Sequence, residues 1–417
     1  MANKLFRVTL MKKIKNFSFT CKKIHIPLKE IKTIEKCIKL KSGKVYIVGG
    51  AVRDLILNNN NNYKADLVVD LEMFDLLLCL KKYGLKYIPS GIKFGSIVVV
   101  VNNIKIDVTI MRHDVGSDGR WAEIEFTKNI MLDSERRDFS FNSIYCDTKG
   151  YIYDPNKGVS DLMDGCVRFI GDINKRVKED FLRIIRFYRF SIFYAKNFNS
   201  KTIKTLVGYH QNLKTLSFER KLDEIKKILN YKKLHQKIKK KSIINEIKIL
   251  FEESFDMKFD FENFDKFCEL EYRLDCIDFE RRFKYLMRNS EDKSNFVSKI
   301  NKKFKKRLLS KIVKFDLDEE SLRKMLYKNN KFCVEDNVLI QSVEKRISYG
   351  ELVKTKLFIK NYKKKKFPLG GQDLVKIGFK RGKEIGKVLK STESWWIKNN
   401  FSKNKKCCLE FAIKYLP

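Results

Sequence analysis

"VYIVGGAVRD", residues 45–54, runs an apolar β-branched stretch directly into two glycines and then into an amphipathic segment. Gly49 and Gly50 let backbone amides come close to an anion, and the start of a following helix favours negative charge at that point. Arg53 offers a planar donor fork to a triphosphate, and Asp54 is placed to orient it. The stretch is not a P-loop, because no Gly-Lys-Ser/Thr follows the glycines. A glycine pair alone serves a plain turn equally well, so its reading depends on what surrounds it.

Two strand-like runs come next. "KADLVVD" (64–70) and "IKIDVTIMR" (104–112) each hold one carboxylate in an otherwise apolar stretch, Asp66 and Asp107. A carboxylate on a buried strand is costly unless neutralised, and Mg²⁺ is the usual agent where phosphate chemistry is done; an ion pair of Asp66 with Lys64 or Arg53 is the other solution. Residue type leaves these two solutions level. Residues 64, 66, 68 and 70 share a face of an extended strand, so Asp70 points with Asp66 but lies about 13 Å away. Asp107, on the neighbouring strand, is the better partner for one shared ion.

Outward from these runs, residues 45–144 alternate short β-branched stretches, "SIVVVV" (96–101) among them, with amphipathic ones such as "LEMFDLLLCLKKYGL" (71–85). That is the pattern of an α/β or α+β unit. After Asp161 strand signals nearly vanish. "VKEDFLRIIRFYRFSIFYA" (177–195) sets Phe181, Ile184, Ile185 and Tyr188 at the spacing of a helix with one buried face. Similar spacing recurs at 222–238, 278–287 and 323–329, so a mixed head is followed by a long helical remainder.

Composition narrows the partners. The 89 Lys and Arg against 51 Asp and Glu leave a formal charge of +38, which points to a polyanion. Basic runs at 237–241, 302–314 and 361–371 would make a phosphate track if they share one side. Ten cysteines without a CxxC and four histidines argue against zinc, and the long chain argues against a disulfide framework. Reduced thiols in a cytosol-like compartment are expected, with no membrane association, because no apolar run approaches the roughly 20 residues of a span. Residues 1–29 hold eight Lys/Arg and no acid and are expected to form a basic N-terminal arm rather than an organellar transit segment, with Met11 as a second plausible start.

Three later stretches suit a nucleotide. In "ERRDFSFNSIY" (135–145), Arg136, Arg137, Asp138 and Asn142 mix donors and acceptors in a way that fits a ribose and a triphosphate, or a salt-bridged helix start. "DPNKGVSDL" (154–162) is a turn leading into a segment, with an architectural role by default. "KEDFLRIIRFYRF" (178–190) puts Glu179, Asp180, Arg183, Arg186 and Arg189 on neighbouring turns. Asp180 and Arg183 together can offer an acceptor and a planar donor fork to the edge of a base; a surface ion pair between them is the plainer alternative.

Taken in order, "GGAVRD", the acidic strand, "DVTIMR", "SDGR" (117–120), "RRDFSFN", "DPNKGVSDL" and "EDFLR" resemble the class II tRNA nucleotidyltransferase and bacterial poly(A) polymerase family, over residues 30–195. The tail "GGQDLVKIGFKRGKEIGKVLKSTESWWIKNNF" (370–401) resembles the C-terminal region of its CCA-adding members. The resemblance implies a polymerase-β-like α/β (α+β) nucleotidyltransferase head at 30–150, followed by an elongated all-α neck (151–270), body (271–350) and tail (351–417) that hold the acceptor and T arms of tRNA. It implies CTP and ATP as substrates, Mg²⁺ as cofactor, Gly49, Gly50, Arg53 and Asp54 on the phosphates, Asp138 and Asn142 at the ribose, and Arg137 beside them as a nucleotide-binding residue. Arg112 with 117–120 matches the segment that switches from C to A addition. Asp180 and Arg183, with Arg186 and Arg189 beside them, match the side chains that serve as template. The family carries Asp-x-Asp on the strand after the glycine turn; here Lys64 or Val68 stands where one aspartate belongs, leaving Asp66 and Asp107 as the expected metal and catalytic pair. The implied activity is CCA addition to tRNA. The alternatives are a tRNA-binding relative impaired by Lys64 and a poly(A) polymerase of the same family.

Overall fold

The computed structural model describes residues 10–11, 13–59, 65–115, 123–313, 316–345, 347–380 and 382–416. Lys64 and the "SDGR" stretch lie outside them. The chain divides into two compact units, Met1–Ile228 with Ile249–Asp256, and Leu229–Lys248 with Met257–Pro417.

The first unit is built on a sheet of eight strands: β1 (Leu10–Met11), β2 (Val45–Val48), β3 (Asp66–Val69), β4 (Lys86–Gly91), β5 (Ser96–Val101), β6 (Ile104–Ile110) and, beyond a separate hairpin β7 (Arg112–Val115) and β8 (Glu123–Phe126), β9 (Tyr145–Cys146) and β10 (Ile152–Tyr153). Its order is β1-β10-β9-β2-β3-β6-β5-β4. Only β3 and β6 pair in parallel; the other neighbours are antiparallel. β2 is buried at all four residues, which its unbroken apolar run requires, whereas β5 alternates half-buried and buried residues. The exposed edge strand β4, with Pro89 in it, shows no alternation of apolar residues that would mark it in the sequence.

The basic stretch expected as an arm is drawn into this unit. β1 pairs with β10, and helix α1 (Phe17–Lys23) buries Phe17 and Cys21. Helix α2 (Leu28–Ile38) follows and buries Ile31, Ile34, Cys37 and Ile38, spaced at three and four residues. Helices α3 (Gly50–Leu57) and α4 (Met73–Lys82) follow β2 and β3, and α5 (Ile130–Glu135) follows the hairpin. After Tyr153 the described residues hold no strand, as the sequence pattern implies: α6 (Gly158–Asp164), α7 (Ile173–Glu179), α8 (Leu182–Tyr194), α9 (Ser200–Val207) and α10 (Phe218–Leu229) succeed one another.

Residues 177–195 do not form the single helix their periodicity predicts. α7 ends at Glu179, Asp180 takes an extended conformation (φ −157°), and its carboxylate accepts from the Leu182 amide at 3.1 Å, starting α8 afresh. An Asp side chain competes with the backbone for such an amide, and a count of apolar spacings does not register that competition. α8 is fastened to the turn at 139–141 by aromatic rings: Phe141 and Phe139 meet Phe190 edge-on at 5.3 and 5.4 Å, and Phe169 lies 4.7 Å from Phe139. Each such ring contributes about 1.5–3 kcal/mol by burial, with a smaller term for its ring partners.

"DPNKGVSDL" has the architectural role expected of it. Asp154 accepts from the Gly158 and Val159 amides at 2.7 and 2.9 Å and so starts α6. A Cβ on Gly158 would lie 2.2 Å from the Ser140 carbonyl oxygen, so only glycine lets α6 press against the 139–142 turn.

The second unit is helical throughout its described residues. Its interior holds charge as well as apolar side chains. Glu271 is fully buried between Arg281 and Arg282, and Arg307 joins Asp336 and Asp278 at 2.7 and 2.9 Å. Two apolar clusters pack separately, one around Leu322, Leu326, Val338 and Leu352, the other around Leu374, Trp396, Phe401 and Cys408. In the basic runs, Lys302, Lys303, Lys305, Lys306 and Lys363 to Lys366 are exposed.

Candidate active site

A cleft of about 880 Å³ opens in the first unit. Its floor is the parallel pair β3 and β6, where Asp66 and Asp107 are register partners. Side chains directly opposite on neighbouring strands leave the sheet on the same side with Cβ atoms roughly 5 Å apart. Both aspartates are exposed, although Leu67 and Val108 beside them are buried. That corrects the expectation of acids sunk in a core: the backbone register sets the two carboxylates side by side at the sheet surface, without a large burial cost. Beside them the Ser96 and Thr109 hydroxyls, also opposite in register, are 2.9 Å apart.

β2 runs antiparallel to β3, so Val48 sits opposite Asp66 and the glycine turn emerges against that acid. Gly49 has φ +70°, and a Cβ there would stand 3.2 Å from Asp66 Oδ2. Asp70 is elsewhere: it is buried at the far end of β3, where it accepts from the Lys44 amide and returns its own amide to the Lys44 carbonyl at 3.2 Å. It closes the β2–β3 pair and takes no part in the cleft.

The wall is braced from behind by Asp133, a fully buried carboxylate. It binds Arg136 at 2.7 Å, Arg137 at 2.9 Å and the Tyr145 hydroxyl at 2.7 Å, and accepts from the Arg112 amide at 3.2 Å. Burial pushes its pKa up, but Arg137 and Arg136 outweigh burial and bring it down to about 2. Both arginines line the cleft. Asp138 repeats the device. It accepts from Asn142 at 2.7 Å and from Arg186 at 2.6 Å, and against its burial the Arg186 guanidinium lowers its pKa to about 2.

Arg53 lines the cleft but is buried. It donates to Asn142 and, at 3.2 Å, to the Tyr194 hydroxyl, with its guanidinium over the Phe190 ring at 5.1 Å. It thereby holds Asn142, and through it Asp138, from within the cleft wall where a grip on phosphate was expected. Asp54, buried on α3, does not line the cleft. Arg112 does, with its guanidinium donating to the Phe94 carbonyl.

Asp180 and Arg183 face the cleft without pairing with each other, so the surface ion pair read as the plainer alternative is replaced by two separate anchors. Asp180 Oδ2 accepts from Arg220 at 2.8 Å, while Arg183 donates to Glu179 at 2.6 Å and to the Arg176 carbonyl at 2.7 Å. Arg186 and Arg189 converge on the buried Glu224, at 3.8 and 2.8 Å. The lining as a whole carries nine Arg and Lys against four Asp, a field suited to a triphosphate.

Three supporting residues escaped the sequence reading. Asp133 had a signal, since it lies three and four residues before Arg136 and Arg137. Arg220 and Glu224 had none, because α10 approaches α8 only through the tertiary fold.

Residues 45–168 match the family model described as the Poly A polymerase head domain. Over that stretch the chain is similar to nucleotidyltransferases that carry this head. More particularly, it is similar over nearly its whole length to CCA-adding enzymes. It is 26% identical over 410 residues to mouse "CCA tRNA nucleotidyltransferase 1, mitochondrial", covering 92% of this chain and 90% of the relative. Its fold matches a Bacillus stearothermophilus CCA-adding enzyme in complex with CTP at a TM-score of 0.73 and 21% identity, over 93% of this chain and 97% of that one. A Thermotoga maritima CCA-adding enzyme complexed with tRNA matches at 0.66 and 19% identity, over 98% of this chain and 100% of that one. The resemblance read from the ordered motifs, and the fold it implied, are borne out. Among the described residues no helix is long and apolar enough to cross a membrane, and no group of three His, Cys, Asp or Glu is placed to hold a metal.

Proposed function

We propose that this protein is a CTP(ATP):tRNA nucleotidyltransferase that adds or repairs the 3′-terminal CCA of tRNA, with protein side chains as the template. The observation that carries the proposal is the register pairing of Asp66 with Asp107 in the same cleft as Asp180 and Arg183. The tRNA 3′-hydroxyl oxygen attacks the α-phosphorus, a new phosphodiester bond forms, and the bond to the bridging oxygen breaks to release pyrophosphate.

Two exposed carboxylates on register-paired residues form a hard oxygen donor set, and Gly49 leaves room beside Asp66 that a side chain would fill. These residues fit magnesium, which commonly takes one or two protein carboxylates and completes its shell with water and substrate phosphate. Bound there, the ion would polarise the α-phosphate and favour the ionised 3′-hydroxyl. The chain's own groups do the rest. The Gly49–Gly50 turn brings backbone up to the phosphates, and Arg136 and Arg137, held by Asp133, supply countercharge. Asp138 and Asn142 read the ribose. Asp180 accepts from the exocyclic amino group that cytosine and adenine share, and Arg183 donates to the ring acceptors beside it. The helical body 271–350 and tail 351–417 of the second unit take the acceptor and T arms on exposed lysines such as Lys302, Lys303 and Lys363 to Lys366. Ten free cysteines agree with work in a reducing, cytosol-like compartment.

The test is incubation of purified protein with tRNA lacking its 3′ end, Mg²⁺ and labelled CTP and ATP. Addition of C, C and A followed by arrest is expected. Long A tracts would establish a poly(A) polymerase, and tRNA binding without incorporation, restored by Lys64→Asp, would establish an impaired relative.

A further inference from the structure

We infer that Arg220 is a specificity-determining positioning residue: it fixes the carboxylate of Asp180 as an acceptor toward the base and so excludes uracil and guanine. The inference rests on the reading of Asp180 as a base-contacting group. Arg220 stands on the first turn of α10 and lines the cleft. Its Nη2 donates to Asp180 Oδ2 at 2.8 Å, while Asp180 Oδ1 accepts from the Leu182 amide at 3.1 Å. Each carboxylate oxygen therefore has one donor of its own, from two directions. A side chain held at both oxygens loses rotational freedom, and each oxygen keeps a lone pair for a group in the cleft that Asp180 lines.

Orientation matters here because the four bases differ at this edge. Cytosine and adenine present an amino group there, whereas uracil and guanine present a carbonyl oxygen. A fixed carboxylate attracts the first pair and repels the second. A carboxylate free to swing aside loses the repulsion first, and the wrong bases gain.

The same helix supplies a second brace of opposite sign. Glu224, one turn beyond Arg220, holds Arg189 and reaches Arg186, and Lys227 in turn holds Glu224 at 2.7 Å. α10 thus grips both ends of the reading surface, an acid at the start of α8 through an arginine and the arginines of α8 through an acid. The grip on Asp180 is partly open to solvent, with side-chain exposures of 40% for Arg220 and 29% for Asp180, so removing Arg220 leaves no buried unpaired charge.

The experiment measures kcat and KM for CTP, ATP, UTP and GTP on tRNA lacking its 3′ end, with wild type, Arg220→Ala and Arg220→Lys, and thermal melts of all three. Arg220→Ala is expected to lower kcat/KM for CTP and ATP about tenfold, mainly through KM, and to raise UTP and GTP use relative to them by about tenfold. Arg220→Lys recovers part of the selectivity. Equal losses for all four nucleotides, or selectivity unchanged in a protein whose melt matches wild type, would overturn the inference. If wild type itself adds nothing, the functional reading fails; if wild type adds CCA and Arg220→Ala still rejects UTP and GTP, the role of Arg220 alone fails.

Discussion

The floor and the wall of the cleft hold their charges by different means. On the floor, Asp66 and Asp107 are exposed and owe their placement to backbone register between two parallel strands. On the wall, Asp133 and Asp138 are buried and tied by side-chain hydrogen bonds to three arginines, a tyrosine and an asparagine. Exposed carboxylates set by register can exchange an ion and a triphosphate at each turnover without disturbing the core. Buried carboxylates tied to arginines keep a surface in one shape while substrates pass. On the proposed function, chemistry and recognition fall to groups with opposite degrees of freedom.

The contrast breaks most visibly on the floor. Asp66→Asn is expected to cut turnover about a thousandfold or more while leaving tRNA affinity and the melting temperature near wild type, since the residue is exposed and isosteric. Filter binding and a thermal melt beside the rate assay check it; a fall in stability in place of turnover would merge floor with wall. On the wall the balance reverses. Asp133→Asn leaves two arginines short of a countercharge in the interior and is expected to cost about 3 kcal/mol of stability by urea unfolding.

Acid sharpens the same distinction. Asp133 and Asp138 are held at about 2, below the ordinary carboxylate value. A lowered folded value means stability that is present above the unfolded pKa and is lost as pH falls from about 4 through about 2. Unfolding free energy is therefore expected to stay level with respect to these two groups from pH 7 to 5 and to drop steeply below 4, measured by urea titration at each pH. Asp133→Asn should flatten part of that drop. The smallest effect belongs to Asp70, which directly follows the strand that Asp66 begins and caps the far end of the β2–β3 pair. Asp70→Asn is expected to cost about 1 kcal/mol and to leave the rate unchanged.

How far each part was legible in the sequence follows the same division. The floor was legible because strands announce themselves: "VYIVGG" and "IKIDVTIM" gave β2 and β6, and Asp66 and Asp107, each alone in an apolar run, stood out as the acids to pair. Their exposure was not legible, because a carboxylate on a strand that floors a cleft reads like one on a strand inside a core. The residues of the wall were named by motif, yet their bonds were not. Arg53 was expected at the phosphates, and nothing in the motif shows that the fold brings Asn142 and Tyr194 to it from 89 and 141 residues away. Asp180 and Arg183 read as an acceptor and a donor fork for a base edge, with an ion pair between them as the plainer alternative; their partners Arg220 and Glu179 were not legible. Spacing of three or four residues predicts partners within a helix, and the break at Asp180 removed the helix that would have joined these two.

The most direct test of the central claim, that Asp66 and Asp107 together make a working floor without an acid at position 64, is single-turnover addition to tRNA lacking its 3′ end by wild type and Asp107→Asn. The account predicts that wild type adds C, C and A and stops, and that Asp107→Asn binds the same tRNA with unchanged affinity but extends it at least a hundredfold more slowly. An Asp107→Asn protein that completes CCA at the wild-type rate would contradict it.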